Sequence, residues 1–126
     1  MIGGVAAGAV LGLAAAELSA RVSGSRLALA SGAGLVTAAA IYPLARRERG
    51  EGVALEGAVL AGAGLLTALA GTRPTDPRIR RTLAGAWAAH ALFDLLRGPT
   101  SDSRLPGWYP AVCAGYDVAY AARTAL

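Results

Sequence analysis

His90 and Asp94 stand four residues apart in the fourth apolar block of this chain, and Asp117 stands in the middle of the fifth. One imidazole and two carboxylates can share or pass a proton, hold a cation, or serve as acid and base toward a substrate. An Asp at the centre of a lipid-buried helix costs about 2.5 to 3.5 kcal/mol on insertion scales, so such residues are kept for a pathway, a partner or a binding site. Trp87 precedes His90 by three positions and Arg97 follows Asp94 by three, which places all four on one helix face. On the next helix Cys113 and Asp117 are four apart, with Tyr109, Tyr116 and Tyr120 along the same broad side.

Depth brings the two faces together. His90 lies eight residues before Gly98 and Asp117 nine after Trp108, so at a rise of about 1.5 Å per residue both sit at similar distances from their shared loop. Asp94 and Cys113 match one turn nearer that loop. Glu56 and Tyr42 also belong near that side, because the second and third blocks are joined there. The expected site is therefore His90, Asp94, Asp117, Tyr116, Tyr120, Cys113, Trp87 and Glu56, with His90 sharing a proton with Asp117 or Asp94. No ligand-pair motif such as H-E-x-x-H is present, so no metal or cofactor is assigned. As a nucleophile, Cys113 would need His90 as its base; as a small apolar filler it needs nothing.

The elements that must position these groups follow from composition. The 126 residues are 55% hydrophobic and only 16% charged, with a mean hydropathy of +0.48, against about 25% charged in an ordinary soluble domain. The apolar residues come in blocks long enough to cross about 30 Å of hydrocarbon as helices. The expected fold is all-α: a polytopic transmembrane helical bundle of about five spans, at 2–20, 27–45, 52–71, 78–97 and 109–124, forming one integral membrane domain over 1–126. The fifth block is shorter and more polar than the others, and packing inside the bundle without a full crossing is the alternative for it. The strict alternation of a transmembrane barrel is absent from the sequence.

Charge is consistent with this plan. All twelve basic residues are Arg, and nearly all lie in the links between apolar blocks, giving a net charge of +4. Link arginines set topology, whereas a nucleic-acid-binding module gathers its basic residues on one exposed face, so no nucleic acid partner is expected. The excess of Arg on the side holding Arg73, Arg78, Arg80 and Arg81 favours an outside N-terminus and a cytoplasmic C-terminus by a small margin. No Arg or Lys precedes the first apolar block, so that block reads as a retained span rather than a secretory signal. One cysteine excludes an internal disulfide.

Smaller patterns add expectations. Gly4, Gly8 and Gly12 form a stripe suited to close helix contact, and small-residue faces of this kind favour a homo-oligomer. Glu17 and Arg21 are spaced as a local i, i+4 pair. Asp76 before Pro77 suits the start of the fourth helix. Gly32-Ala33-Gly34-Leu35-Val36-Thr37-Ala38 matches Gly62-Ala63-Gly64-Leu65-Leu66-Thr67-Ala68 thirty residues on; this is either an inverted repeat or a chance echo in a chain rich in Ala, Gly and Leu.

The order Trp87, His90, Asp94, Pro106, Trp108, Tyr109, Pro110, Cys113, Asp117 resembles the C-terminal signature of a family of small prokaryotic integral membrane proteins with no established activity. The match covers about a third of the chain. The resemblance implies a multi-pass protein of the cell membrane with its site on the polar face. Family members often carry a further His after the first Asp where this chain has Arg97, a departure that weakens a metal or haem role. Three readings of function stay open: binding or passage of a proton or small solute, an intramembrane enzyme using His90 as acid or base, and a structural subunit whose polar network fixes helix register. On the membrane expectation the expressed chain sediments with membranes and needs detergent for release; recovery in the soluble fraction without detergent would refute it.

Overall fold

The computed structural model describes residues 1–47, 50–97 and 102–126. Its secondary structure is all helix: α1 (Ile2–Ser23), a 3₁₀ turn (Gly24–Arg26), α2 (Leu27–Ala45), α3 (Val53–Thr72), α4 (Pro77–Arg97) and α5 (Tyr109–Ala125). The expected stop at Gly98, before Pro99, and the middle of the charged link at Glu48 and Arg49 lie outside the described residues.

Local chemistry sets the helix ends. Gly24 takes φ 48°, a conformation open to glycine and costly for residues with a Cβ, and it breaks the 44-residue helical stretch Ile2–Ala45 into α1 and α2. Asp76 starts α4 as its sequence suggests: its Oδ1 accepts a hydrogen bond from the Arg78 backbone N–H at 2.8 Å, with Pro77 at the first helical position. Backbone bonds from Arg47 to Asp102 and from Arg104 to Ala45 tie the chain before α5 to the end of α2.

The helices pack as a bundle in which α1 lies on α5, α5 on α4 and α2 on α3, with α2 also touching α4. The α1–α5 contact is backbone against backbone. A Cβ added to Gly8 would fall 1.9 Å from the Val112 carbonyl oxygen, one on Gly12 2.2 Å from that of Tyr116, and one on Gly115 2.0 Å from that of Val5. The glycine stripe is thus occupied by α5 of the same chain. Glu17 pairs with Arg123 of α5 instead of with Arg21, because the glycine contact brings the two helices within reach of each other at that end.

Flanked by α1 and α4, α5 buries Ala114, Gly115, Asp117, Tyr120 and Thr124 among others. The outer surface is apolar: Val10, Leu11 and Leu18 on α1, Leu55 and Leu65 on α3, and Leu92, Leu95 and Leu96 on α4 are all more than half exposed. In the most apolar window of α3 only 17% is buried.

Among the described residues, two helical stretches, Ile2–Ala45 and Val53–Thr72, are long and apolar enough to cross a membrane. The five spans expected from the sequence are not supported at that level. α4 carries Arg78, Arg80 and Arg81 in its first turns, as its expected start at Pro77 implies, and α5 has 17 residues. The matched heptapeptides do place α2 against α3, but unsymmetrically. A Cβ on Gly32 would meet Thr67 Oγ1 at 2.7 Å, while nothing lies within 4 Å of one on Gly62.

Gly12→Leu should therefore force α1 from α5 and lower stability by about 1 to 3 kcal/mol or more. Gly64→Ala, where a Cβ meets nothing within 4 Å, should be neutral or stabilising by about 0.5 to 1 kcal/mol. Thermal unfolding of the detergent-solubilised proteins checks both.

Candidate functional site

Two polar clusters are buried in this bundle, and they differ in how well they are satisfied. The first is at the end where α2 stops and α3 begins. Glu56, in the first turn of α3 and 2% exposed, accepts hydrogen bonds from Arg46 Nε at 2.6 Å, Arg46 Nη2 at 2.9 Å and Arg97 Nε at 3.1 Å. Asp102 accepts from Arg46 Nη1 at 2.7 Å and Arg97 Nη2 at 3.3 Å. Among the described residues, two guanidinium groups face two carboxylates here. Hydrogen bonding to Glu56 holds the Arg46 guanidinium above its ordinary pKa.

Glu56 was expected on the face of His90 and Asp117, and the structure places it in this clasp instead. The reason is that both ends of a charged network must be brought in together: Arg46 arrives from the end of α2 and Arg97 from the last turn of α4.

The second cluster lies deeper, between α4 and α5. His90 Nδ1 is 2.8 Å from Asp117 Oδ2 and donates to it when protonated; Asp94 Oδ2 is 3.6 Å from the same nitrogen. Of the two pairings open from the sequence, His90 makes its bond with Asp117. All three side chains are buried, Asp94 completely.

Their bonding is incomplete. Both oxygens of Asp94, Nε2 of His90 and the hydroxyl of Tyr42 have no hydrogen-bond partner. The Tyr42 hydroxyl stands against Asp94, close enough to act on it but outside ordinary hydrogen-bond geometry, and its ring packs edge-on against Phe93 at 5.2 Å. Buried polar atoms without partners cost about 1 to 3 kcal/mol each, so these four call for water or another group to satisfy them.

That space is a cavity of about 350 Å³, lined by Gly34, Thr37, Ala38, Ile41 and Tyr42 of α2, Trp87, His90 and Asp94 of α4, and Tyr109, Cys113, Tyr116 and Asp117 of α5. Asp94 also borders a second cavity of about 260 Å³ with Met1, Gly4, Trp108 and Pro110. Among the predicted site residues, His90, Asp94, Asp117, Cys113, Trp87 and Tyr116 therefore share one cavity.

Tyr120 is one turn too deep for it; its ring stacks on Tyr116 at 5.9 Å and lies 4.8 Å from Trp87. The indole of Trp87 spends its N–H on Ser31 Oγ at 3.1 Å. The α2 wall was not predicted, apart from the nearness of Tyr42. Its only signal is the small residues Gly34 and Ala38 on the face that meets Trp87.

One ligand-capable atom of each of His90, Asp94 and Asp117 lies within 4.8 Å of the others, an arrangement that no helix-local motif announces because Asp117 comes from another helix. No family model matches the chain, and neither a curated protein nor a solved structure does so. Chemically, the site offers an imidazole–carboxylate pair, a second carboxylate with its acceptors unused, and phenol and thiol groups on an otherwise apolar wall.

The clasp and the site make different demands. Glu56→Ala leaves Arg46 and Arg97 facing each other and should cost about 3 kcal/mol, read as a lowered unfolding midpoint. A loss below about 1 kcal/mol would show that solvent replaces the carboxylate.

Proposed function

We propose that this chain is a multi-pass protein of the cell membrane whose His90–Asp94–Asp117 cluster binds or passes a proton or a small solute. The observation that carries the reading is Asp94: fully buried, with both carboxylate oxygens unpartnered, and bordering two cavities. A carboxylate serving only to lock helix register would spend its acceptors on neighbouring helices, as Glu56 does.

The apolar exterior supports a lipid setting. Water-soluble monomers rarely expose contiguous apolar patches beyond a few hundred Å², and the outward leucines of α1, α3 and α4 cover helix after helix. In the proposed arrangement all five helices cross or enter the bilayer. The arginines of the first turn of α4 reach the headgroups, and α5 is shielded from lipid by α1 and α4 so that Asp117 and its tyrosines meet protein. The second cavity, beside the exposed ring of Trp108, connects Asp94 with one end of the bundle and supplies the access route.

Proton flux into liposomes containing the purified protein tests this. The parent and Gly64→Ala should conduct, and Asp117→Asn and His90→Ala should fall to the background of empty vesicles while keeping their helical circular dichroism. Background flux in the folded parent would overturn passage of a proton.

A further inference from the structure

We propose that His90, Asp94 and Asp117 together hold a divalent transition-metal cation, which makes this cavity a metal site and names the solute class of the function proposed above, on which it rests. The geometry is the first ground. Nδ1 of His90 and the Oδ2 atoms of Asp117 and Asp94 are 2.8 and 3.6 Å apart. Ligands about 2.0 to 2.1 Å from a tetrahedral ion stand about 3.3 Å from one another. The two separations from Nδ1 bracket that value and all three atoms lie within 4.8 Å of one another, so an ion fits once the two carboxylates draw together around it.

The unused bonding capacity is the second ground. Asp94 is completely buried and its carboxylate has no donor. It points toward a nitrogen already bonded to Asp117. A cation between the three groups gives Asp94 the partner it lacks, and the hydroxyl of Tyr42 stands on the same cavity wall. The cavity leaves space for one or two waters to complete the coordination.

Charge is the third. With both carboxylates ionised and the imidazole neutral, the cluster carries two negative charges among apolar walls. One divalent cation cancels both, whereas a single proton or monovalent cation leaves one behind. One nitrogen and two carboxylate oxygens form a set for zinc, manganese, cobalt or ferrous ions, while magnesium favours oxygen ligands and retains its water. Binding through Nδ1 displaces its proton, and the imidazole then carries its proton on Nε2.

The test uses the full chain in detergent, stripped with chelator and titrated with Co²⁺. The parent should take up one Co²⁺ per chain, seen as visible absorption bands and by calorimetry, and Zn²⁺ should displace it while millimolar Mg²⁺ does not. Asp94→Asn and Asp117→Asn should each weaken binding at least tenfold. Asp94→Asn is the safer variant for folding, because Asp94 stands 3.6 Å from His90 Nδ1 whereas Asp117 bonds to it at 2.8 Å; circular dichroism and the unfolding midpoint confirm that each variant folds. No uptake by the folded parent, uptake unaffected by both substitutions, or displacement by Mg²⁺ would overturn the proposal. Proton flux that persists in metal-free liposomes, with no Co²⁺ uptake, would sink the metal site and leave the passage of protons standing. Stoichiometric Co²⁺ uptake without proton flux would do the reverse.

Discussion

A carboxylate enclosed by hydrocarbon must find positive charge, and Glu56 finds two guanidinium groups. Through it the end of α2, the start of α3, the last turn of α4 and the segment around Asp102 are held at one height. The register of α4 against α2 follows from that, and with it the level at which His90 and Asp94 face Tyr42. Burying such a network contributes little net stability, since desolvation offsets most of the attraction. Its effect is to make the alternative heights of α4 costly, because each would strand a charge.

The two buried clusters are alike in residue type and opposite in balance. The clasp pairs its charges one for one. The inner cluster has two carboxylates for one imidazole, a tyrosine hydroxyl outside hydrogen-bond geometry, and a cavity against which all of them lie. In a fold made mostly of Ala, Gly and Leu, that imbalance lies in the wall between α2, α4 and α5. The matched heptapeptides diverge at the same place: Thr67 presses on Gly32, whereas Thr37 borders the cavity. Symmetry is lost where the space is needed.

Sequence reached the inner site because both of its helices spring from one loop. Counting residues back from Gly98 and forward from Trp108 gave His90 and Asp117 the same depth, and the 2.8 Å separation agrees. The same arithmetic failed for Glu56, since depth alone does not say which cations come to that level from other helices. Helical spacing suggested Arg21 as the partner of Glu17, whose actual partner Arg123 is distant in sequence. The glycine stripe of α1 was legible as a contact surface, but its occupant was not, since small residues accept any close backbone. Block lengths suggested five crossings; among the described residues Ile2–Ala45 and Val53–Thr72 have the length and apolarity to cross, whereas α4 begins with arginines and α5 has 17 residues.

The contact of Gly8 and Gly12 with Val112 and Tyr116 also orders events in time. About 100 residues separate the two sides of that contact, and a ribosome adding about 5 to 20 residues per second needs roughly 5 to 20 seconds to deliver the second after the first. During that interval α1 exposes a backbone groove shaped for a helix that does not yet exist. The cavity wall formed by Cys113, Tyr116 and Asp117 arrives on the same late helix, so the site is absent from every nascent intermediate. A half-made bundle therefore has no site to use, and α1 has a vacant face on which a chaperone or a neighbouring chain can settle until α5 displaces it.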